Sequence, residues 1–111
     1  MEDSILITVR DACGIEEDSS VFDRELIPLI NTYLMILCQL GVGTEGFKVA
    51  DGSETWSDFE SSDRYEAVKT YVTTRVRLAF DPPISSHVTN SLTELYKELE
   101  WRLAANKDAE E

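Results

Sequence analysis

The dipeptide Pro82-Pro83, in the stretch Phe80-Asp81-Pro82-Pro83-Ile84, limits what this chain can fold into more than any other feature. Proline has no amide proton and its ring clashes with the preceding helical turn, so two in a row cannot lie inside a helix. The residue before a proline is also driven out of the helical region. Yet the segments on both sides carry apolar residues at helical spacing. Upstream these are Tyr65, Val68, Tyr71 or Val72, Val76 and Ala79; downstream Ile84, Val88, Leu92, Leu95, Leu99 and Leu103 form one long stripe. The stretch between them is too short and too apolar for an interdomain linker. It predicts a rigid corner, anchored by Phe80, between two helices that pack on each other. Ser85 or Ser86 can cap the second.

The same periodicity organises the first half of the chain. Ser4 is a candidate N-cap for a short helix carrying Ile5, Leu6, Val9, Ala12 and Cys13 on one side, and Gly14 ends it. Ser20 and Asp23 resemble a capping box, which starts the second helix near Val21. From Leu26 to Leu40 the apolar residues cover more than one helical face, so this helix is expected at the centre of the core. Pro28 removes the bond to the carbonyl of Arg24 and predicts a kink or a late start. The run Gly41-Val42-Gly43-Thr44-Glu45-Gly46 matches the G-x-G-x-x-G dinucleotide fingerprint letter for letter. That fingerprint needs a strand before it and a helix N-terminus after it. Here the glycines follow a helix, and Gly41 reads as its stop.

Residues 47–56 predict a small hairpin turning at Asp51-Gly52, residues 57–63 a short helical turn, and the third long helix runs from about Asp63 to Phe80. The expected fold class is therefore all-α: a small bundle of about four helices, with a short β-hairpin or irregular insertion between helices 2 and 3. At 111 residues the chain suffices for one modest core, so a single domain is expected over residues 1–111, with 104–111 as a flexible tail.

Composition narrows the function. There are 22 acidic and 10 basic residues, a net charge of −12. Residues 1–63 hold 14 Asp/Glu and 3 Lys/Arg, and residues 64–111 hold 8 and 7, so the excess lies in the first half. Free nucleic acid is repelled by such a field, since binding relies on cations neutralising phosphates. A solubility-promoting surface explains the excess on composition alone; a surface that passes or mimics DNA is the sharper reading. Arg64, Lys69, Arg75 and Arg77 share the third long helix, and among so many acids they are expected to pair with carboxylates within or between subunits.

Cys13 and Cys38 lie in apolar helical patterns and read as inert packing rather than a disulfide. His87 is the sole histidine, in the first turn of the last helix, where it reads as a solvent-facing or capping residue. No four-ligand zinc set, P-loop, H-E-x-x-H or calcium-loop spacing is present, so neither metal nor cofactor is expected. No nucleophile has a positioned base, and the chain reads as no enzyme. No apolar run approaches the roughly 18 residues of a membrane span. The acidic start lacks the basic region of a signal peptide, which predicts a cytoplasmic protein of the cell that makes it.

Four segments, Asn31–Gly43, Glu54–Phe59, Glu66–Ser86 and Glu98–Leu103, reading "NTYLMILCQLGVG", "ETWSDF", "EAVKTYVTTRVRLAFDPPISS" and "ELEWRL", carry a resemblance in this order and spacing. The chain resembles the head–tail connector (adaptor) proteins of long-tailed phages and prophages of Gram-positive bacteria, from about residue 4 to 103. The resemblance implies a small helical virion protein, made in the host cytoplasm, that forms a ring of usually twelve copies at the head–tail interface. Such a ring joins the portal to a stopper or tail component and lets DNA pass without specific binding.

In that setting Arg75 and Arg77 are candidates for charged contacts to a neighbour's acidic loops, and Tyr96 and Trp101 for apolar ones. The Glu16-Glu17-Asp18 loop is a candidate for the channel lining, although an outer or assembly-facing position is equally allowed. Phe80, Asp81, Pro82 and Pro83 are the structural corner. A competing reading is an acidic DNA-mimic or regulatory binder, monomeric or dimeric, that occupies a nucleic-acid-binding partner.

Overall fold

The first helix of this protein is fixed at one end by a side chain and at the other by a glycine. In the computed structural model, which describes residues 4–62 and 64–110 with the last five as backbone only, the hydroxyl of Ser4 accepts the Ile7 amide and opens α1 (Ile5–Ala12). Gly14, at φ +77°, closes it: the amides of Gly14 and Ile15 donate back to the carbonyls of Asp11 and Arg10. Helix α2 (Asp23–Gln39) ends the same way. Gly41, at φ +88°, lets its own amide reach the Cys38 carbonyl and that of Val42 the Leu37 carbonyl, and buried Val42 follows as the apolar plug. The remaining helices are α3 (Trp56–Phe59), α4 (Tyr65–Phe80) and α5 (Ser86–Glu110). The all-α class holds, with α3 as a single extra turn. Asp63, where the sequence places the start of α4, lies outside the described residues, as do Met1 to Asp3 and Glu111.

Three expectations are corrected. First, the capping box at Ser20 does not form: α2 starts two residues late, behind Phe22, which makes no side-chain cap bond. The Asp23 carboxylate that would complete the box instead receives Arg10, at 3.1 Å from Nε and 2.6 Å from Nη2. A bidentate charged pair outweighs a single neutral cap bond.

Second, the hairpin at Asp51-Gly52 is absent. No strand exists among the described residues, only one isolated bridge between Ser4 and Thr55. Side chains take the backbone groups a partner strand would have used. Asn31 on α2 receives the Val49 amide at 2.7 Å and donates to its carbonyl at 3.1 Å, while the Glu54 carboxylate accepts the amides of Ala50 and Asp51. With these groups satisfied, nothing drives the segment to pair with itself.

Third, the centre of the core is α4, which packs against each of the other four helices, whereas α2 packs on α1 and α4. Its spine Val68, Val72 and Val76 is fully buried, and Tyr71 with it. Valine at four-residue spacing lets neighbouring helices approach closely from several sides. On α2 one large apolar residue remains outside: Met35 is 54% exposed, while Ile27, Leu29 and Tyr33 are partly buried against the core.

The corner forms as expected and positions α5. Asp81 leaves the helical region at φ −144°, its amide still bonded to the Arg77 carbonyl. Phe80 meets Phe22 edge to face, ring centroids 5.4 Å apart, tying the corner to the start of α2. Beyond the prolines, Ser85 is the side chain that caps α5, accepting the Val88 amide, and Thr89 donates to the Pro83 carbonyl. The stripe expected along α5 is buried only at its far end. Leu103 is fully covered and Leu92 and Leu99 are half-buried, but Ile84, Val88 and Leu95 stay exposed.

Candidate functional site

Where α2, α4 and α5 converge, the charged group is Arg75. Its guanidinium lies 4.1 Å from the ring centroid of Tyr96 on α5 and 4.6 Å from that of Tyr33 on α2, stacked between two aromatic faces. One nitrogen, Nη1, donates to the Tyr71 hydroxyl at 3.1 Å and to the Glu100 carboxylate at 2.8 Å. Tyr71 closes the triangle by donating to the same Glu100 oxygen at 2.6 Å. Burial, followed by that bond to Glu100, pushes the Tyr71 hydroxyl pKa far up, so it remains a donor across the accessible pH range. Three helices are thereby joined by one cation, and a 260 Å³ cleft lined by Tyr33, Arg75, Thr89, Thr93 and Tyr96 opens beside it. Of the residues singled out in the sequence, Arg75 and Tyr96 meet here, engaged within their own chain. Arg77, two residues on, is exposed in the last turn of α4.

A second ionic clamp holds the acidic loop. Buried Arg10, besides its pair with Asp23, donates Nη1 to the carbonyl of Glu17. The backbone of the loop is thus pinned while the side chains of Glu16, Glu17 and Asp18 point to solvent and are exposed. A third clamp occupies the glycine-rich run. The Gly43 amide donates to Glu60 at 2.9 Å, and Glu60 also accepts from Arg64 and from the Ser62 hydroxyl. Burial raises the Glu60 carboxyl, but the hydrogen bonds and the Arg64 charge together outweigh it and hold the group below its ordinary value. An amide that would face a pyrophosphate in a dinucleotide site is here filled by the protein's own carboxylate. Gly43, at φ +90°, is further required because the Phe59 ring covers it.

Arg10, Arg64 and Arg75 are engaged with carboxylates of the same chain. Each such pair withdraws one cation and one acid, so the excess of acid in the composition stays on the surface. The exposed cations on the described side chains are Arg24, Lys48, Arg77, Lys97 and Arg102, against twelve exposed Asp and Glu residues.

Apolar groups also remain outside. Trp101 stands 70% exposed on α5, on the side away from α4, with exposed Glu94, Lys97 and Glu98 around it. Across the molecule a 420 Å³ groove runs between α2 and residues 45–48, lined by Asn31, Thr32, Met35, Cys38, Gln39 and Phe47 among others. Neither groove nor cleft was legible in the sequence, because both depend on which side of α2 faces inward.

Burial pushes the Cys13 thiol up to about 11, and burial followed by the nearby Glu45 charge raises Cys38, so both thiols are held protonated. Both cysteines are free. His87 is exposed on the first turn of α5. Among the described residues no three His, Cys, Asp or Glu side chains lie together as metal ligands, and no helix is long and apolar enough to cross a membrane.

A small helical bundle whose cations clamp its own helices, and whose spare apolar groups face outward, has the build of an assembly subunit. The chain belongs to the family of phage connector proteins, whose sequence profile matches residues 5–110. Membership assigns it a structural role in joining head to tail, a place in the virion and assembly with other virion proteins; the family is one of structural proteins and not of enzymes. No curated protein and no solved structure matches the chain.

Proposed function

We propose that the protein works as a ring of identical subunits, twelve in the virion, seated between the portal and a stopper or tail-completion protein, with DNA passing through its bore. The observation that carries this reading is the apolar surface left over once the core is closed. Ile84, Val88, Leu95 and Trp101 on the corner and α5, and Met35 on α2, are exposed in a chain whose core is otherwise complete. Exposed apolar side chains on several faces suit a subunit that meets different neighbours on different sides, as a closed ring requires.

The acidic surface supports passage without adhesion. Phosphates meet like charge from Glu16, Glu17 and Asp18, and three of the arginines that could hold them are engaged inside the fold. In this reading Arg77 and Trp101 reach neighbouring subunits or the portal, while Arg75 and Tyr96 act indirectly by holding α5 in position.

Electron microscopy of the protein mixed with its portal tests the proposal. The expected result is an added ring beneath the portal, with the 16–18 loop at the bore. A portal that stays bare at micromolar protein refutes the ring, and a ring with that loop on its outer wall refutes the assigned lining.

A further inference from the structure

We infer that Trp101 of one subunit seats in the groove between α2 and residues 45–48 of the next, so that the interface between copies is a single aromatic anchor in a preformed slot. The inference rests on the ring reading and names the contact within it. Its first support is placement. Tyr33 faces α5 through Arg75, whereas Met35, two residues and so about 200° further round α2, lines the groove. Trp101 in turn is exposed on α5, while Leu99 and Leu103 face the core. Anchor and slot therefore lie on opposite outer sides of one subunit, the arrangement that a head-to-tail interface of identical chains demands.

The second support is fit. The groove offers about 420 Å³ of open space, ample for an indole, and its lining includes Met35 and Phe47, a polarizable thioether and an aromatic ring. The third is charge. Lys48 and Glu45 flank the slot, and beside Trp101 stand exposed Glu94 and Lys97, while Glu98 and Arg102 are paired with each other. Each flanking charge of the slot has an opposite charge available beside the anchor, leaving a polar rim around a buried aromatic centre.

Two substitutions at exposed positions test the contact in the full chain assembled with portal. Trp101→Ala removes the anchor, and Met35→Trp fills the slot. Both variants are expected to unfold at the wild-type denaturant concentration, yet to need at least 30-fold more protein to form rings, the effect of losing a hot-spot residue (about 2 kcal/mol). In the wild type, the emission of Trp101 should shift to the blue on assembly, against the constant background of fully buried Trp56. Rings that form normally in either variant overturn the contact and leave the ring reading intact. Trp101→Ala rings that form but release the portal overturn it too, assigning the anchor to the portal. A wild-type chain that forms no ring under any condition removes both readings together.

Discussion

Replacing Arg75 by Met separates the charge that joins three helices from the length that fills the space between them. The variant keeps an unbranched apolar chain against the Tyr33 and Tyr96 rings but loses the bonds to Tyr71 and Glu100 and the two aromatic stacks. A hydrogen bond to a charged partner contributes about 1.5–3 kcal/mol, and a cation over an aromatic face about 0.5–1 kcal/mol at partly exposed sites. The pair is not dry: the side chains of Arg75 and Glu100 are 21% and 32% exposed, so water screens part of the attraction. Glu100 also keeps the Tyr71 hydroxyl as a donor after the change. Taking the lower end for the bond and one stack, the expected loss is about 2 kcal/mol.

Urea unfolding followed by far-ultraviolet circular dichroism, at concentrations below assembly, reads this as a lower midpoint at unchanged slope. Because the cluster ties α5 to the rest, amide exchange should accelerate most between Leu92 and Leu103. Arg75→Lys, which keeps the charge without the planar stack, should fall between the two. A change under 0.5 kcal/mol, or exchange that accelerates equally in α1, would refute the reasoning.

Other sites give sharper single outcomes. Gly43→Ala places a methyl 2.1 Å from the Phe59 ring at φ +90°, so it should lower stability by about 2 kcal/mol or more, measured by thermal unfolding. Asn31→Ala orphans both backbone groups of Val49 and should cost about 1–3 kcal/mol, with the Val49 amide losing its exchange protection while that of Ile5, bonded to Glu54, keeps it. For Cys13 the folded pKa is raised from 9 to about 11, so the native state binds more protons than the unfolded state across that window. Its stabilising contribution is complete below pH 9 and is lost as pH rises towards 11. A Cys13→Ala variant should show a flatter stability profile between those values than the wild type.

The sequence disclosed most where a single residue decides the backbone. Pro82-Pro83, Gly14, Gly41 and Ser4 each fix a local geometry that no distant partner can change, and each ends or starts a helix as expected. Expectations failed where a local signal competed with a distant side chain. Asp23 was drawn out of a capping box by Arg10, thirteen residues away, and Val49 out of a hairpin by Asn31, eighteen away. The capping box that does form, Thr55 with Asp58, carries the same spacing in sequence as the false one at Ser20. At Asp58 the carboxylate accepts the Thr55 amide, whereas at Asp23 it is taken by Arg10. Helix α4 was underrated because its Thr and Arg residues dilute the apolar pattern of the valine spine that packs against four other helices. Of the candidate site, the residue types were visible and their allegiance was not: Arg75 and Arg77 look alike in sequence, and one turns inward.

That division of the arginines leads to a test of the acidic face. If the loop at residues 16–18 lines the path of DNA, its job is to offer phosphates nothing to hold. Replacing Glu16, Glu17 and Asp18 by lysine changes the local charge by six without touching the core, since all three side chains are exposed and only the Glu17 carbonyl is bonded to Arg10. The wild-type chain should show no retention of duplex DNA even at 50 mM salt. The triple-lysine variant, with three candidate phosphate contacts per subunit, should bind weakly as a monomer, with log affinity falling against log salt at a slope near −3. In a ring the contacts of many subunits add, so assembled particles carrying the variant should retain genomic DNA at salt concentrations where wild-type particles release it. Equal release from both would mean that the loop never meets the genome, and would place the excess acid on the outside of the connector.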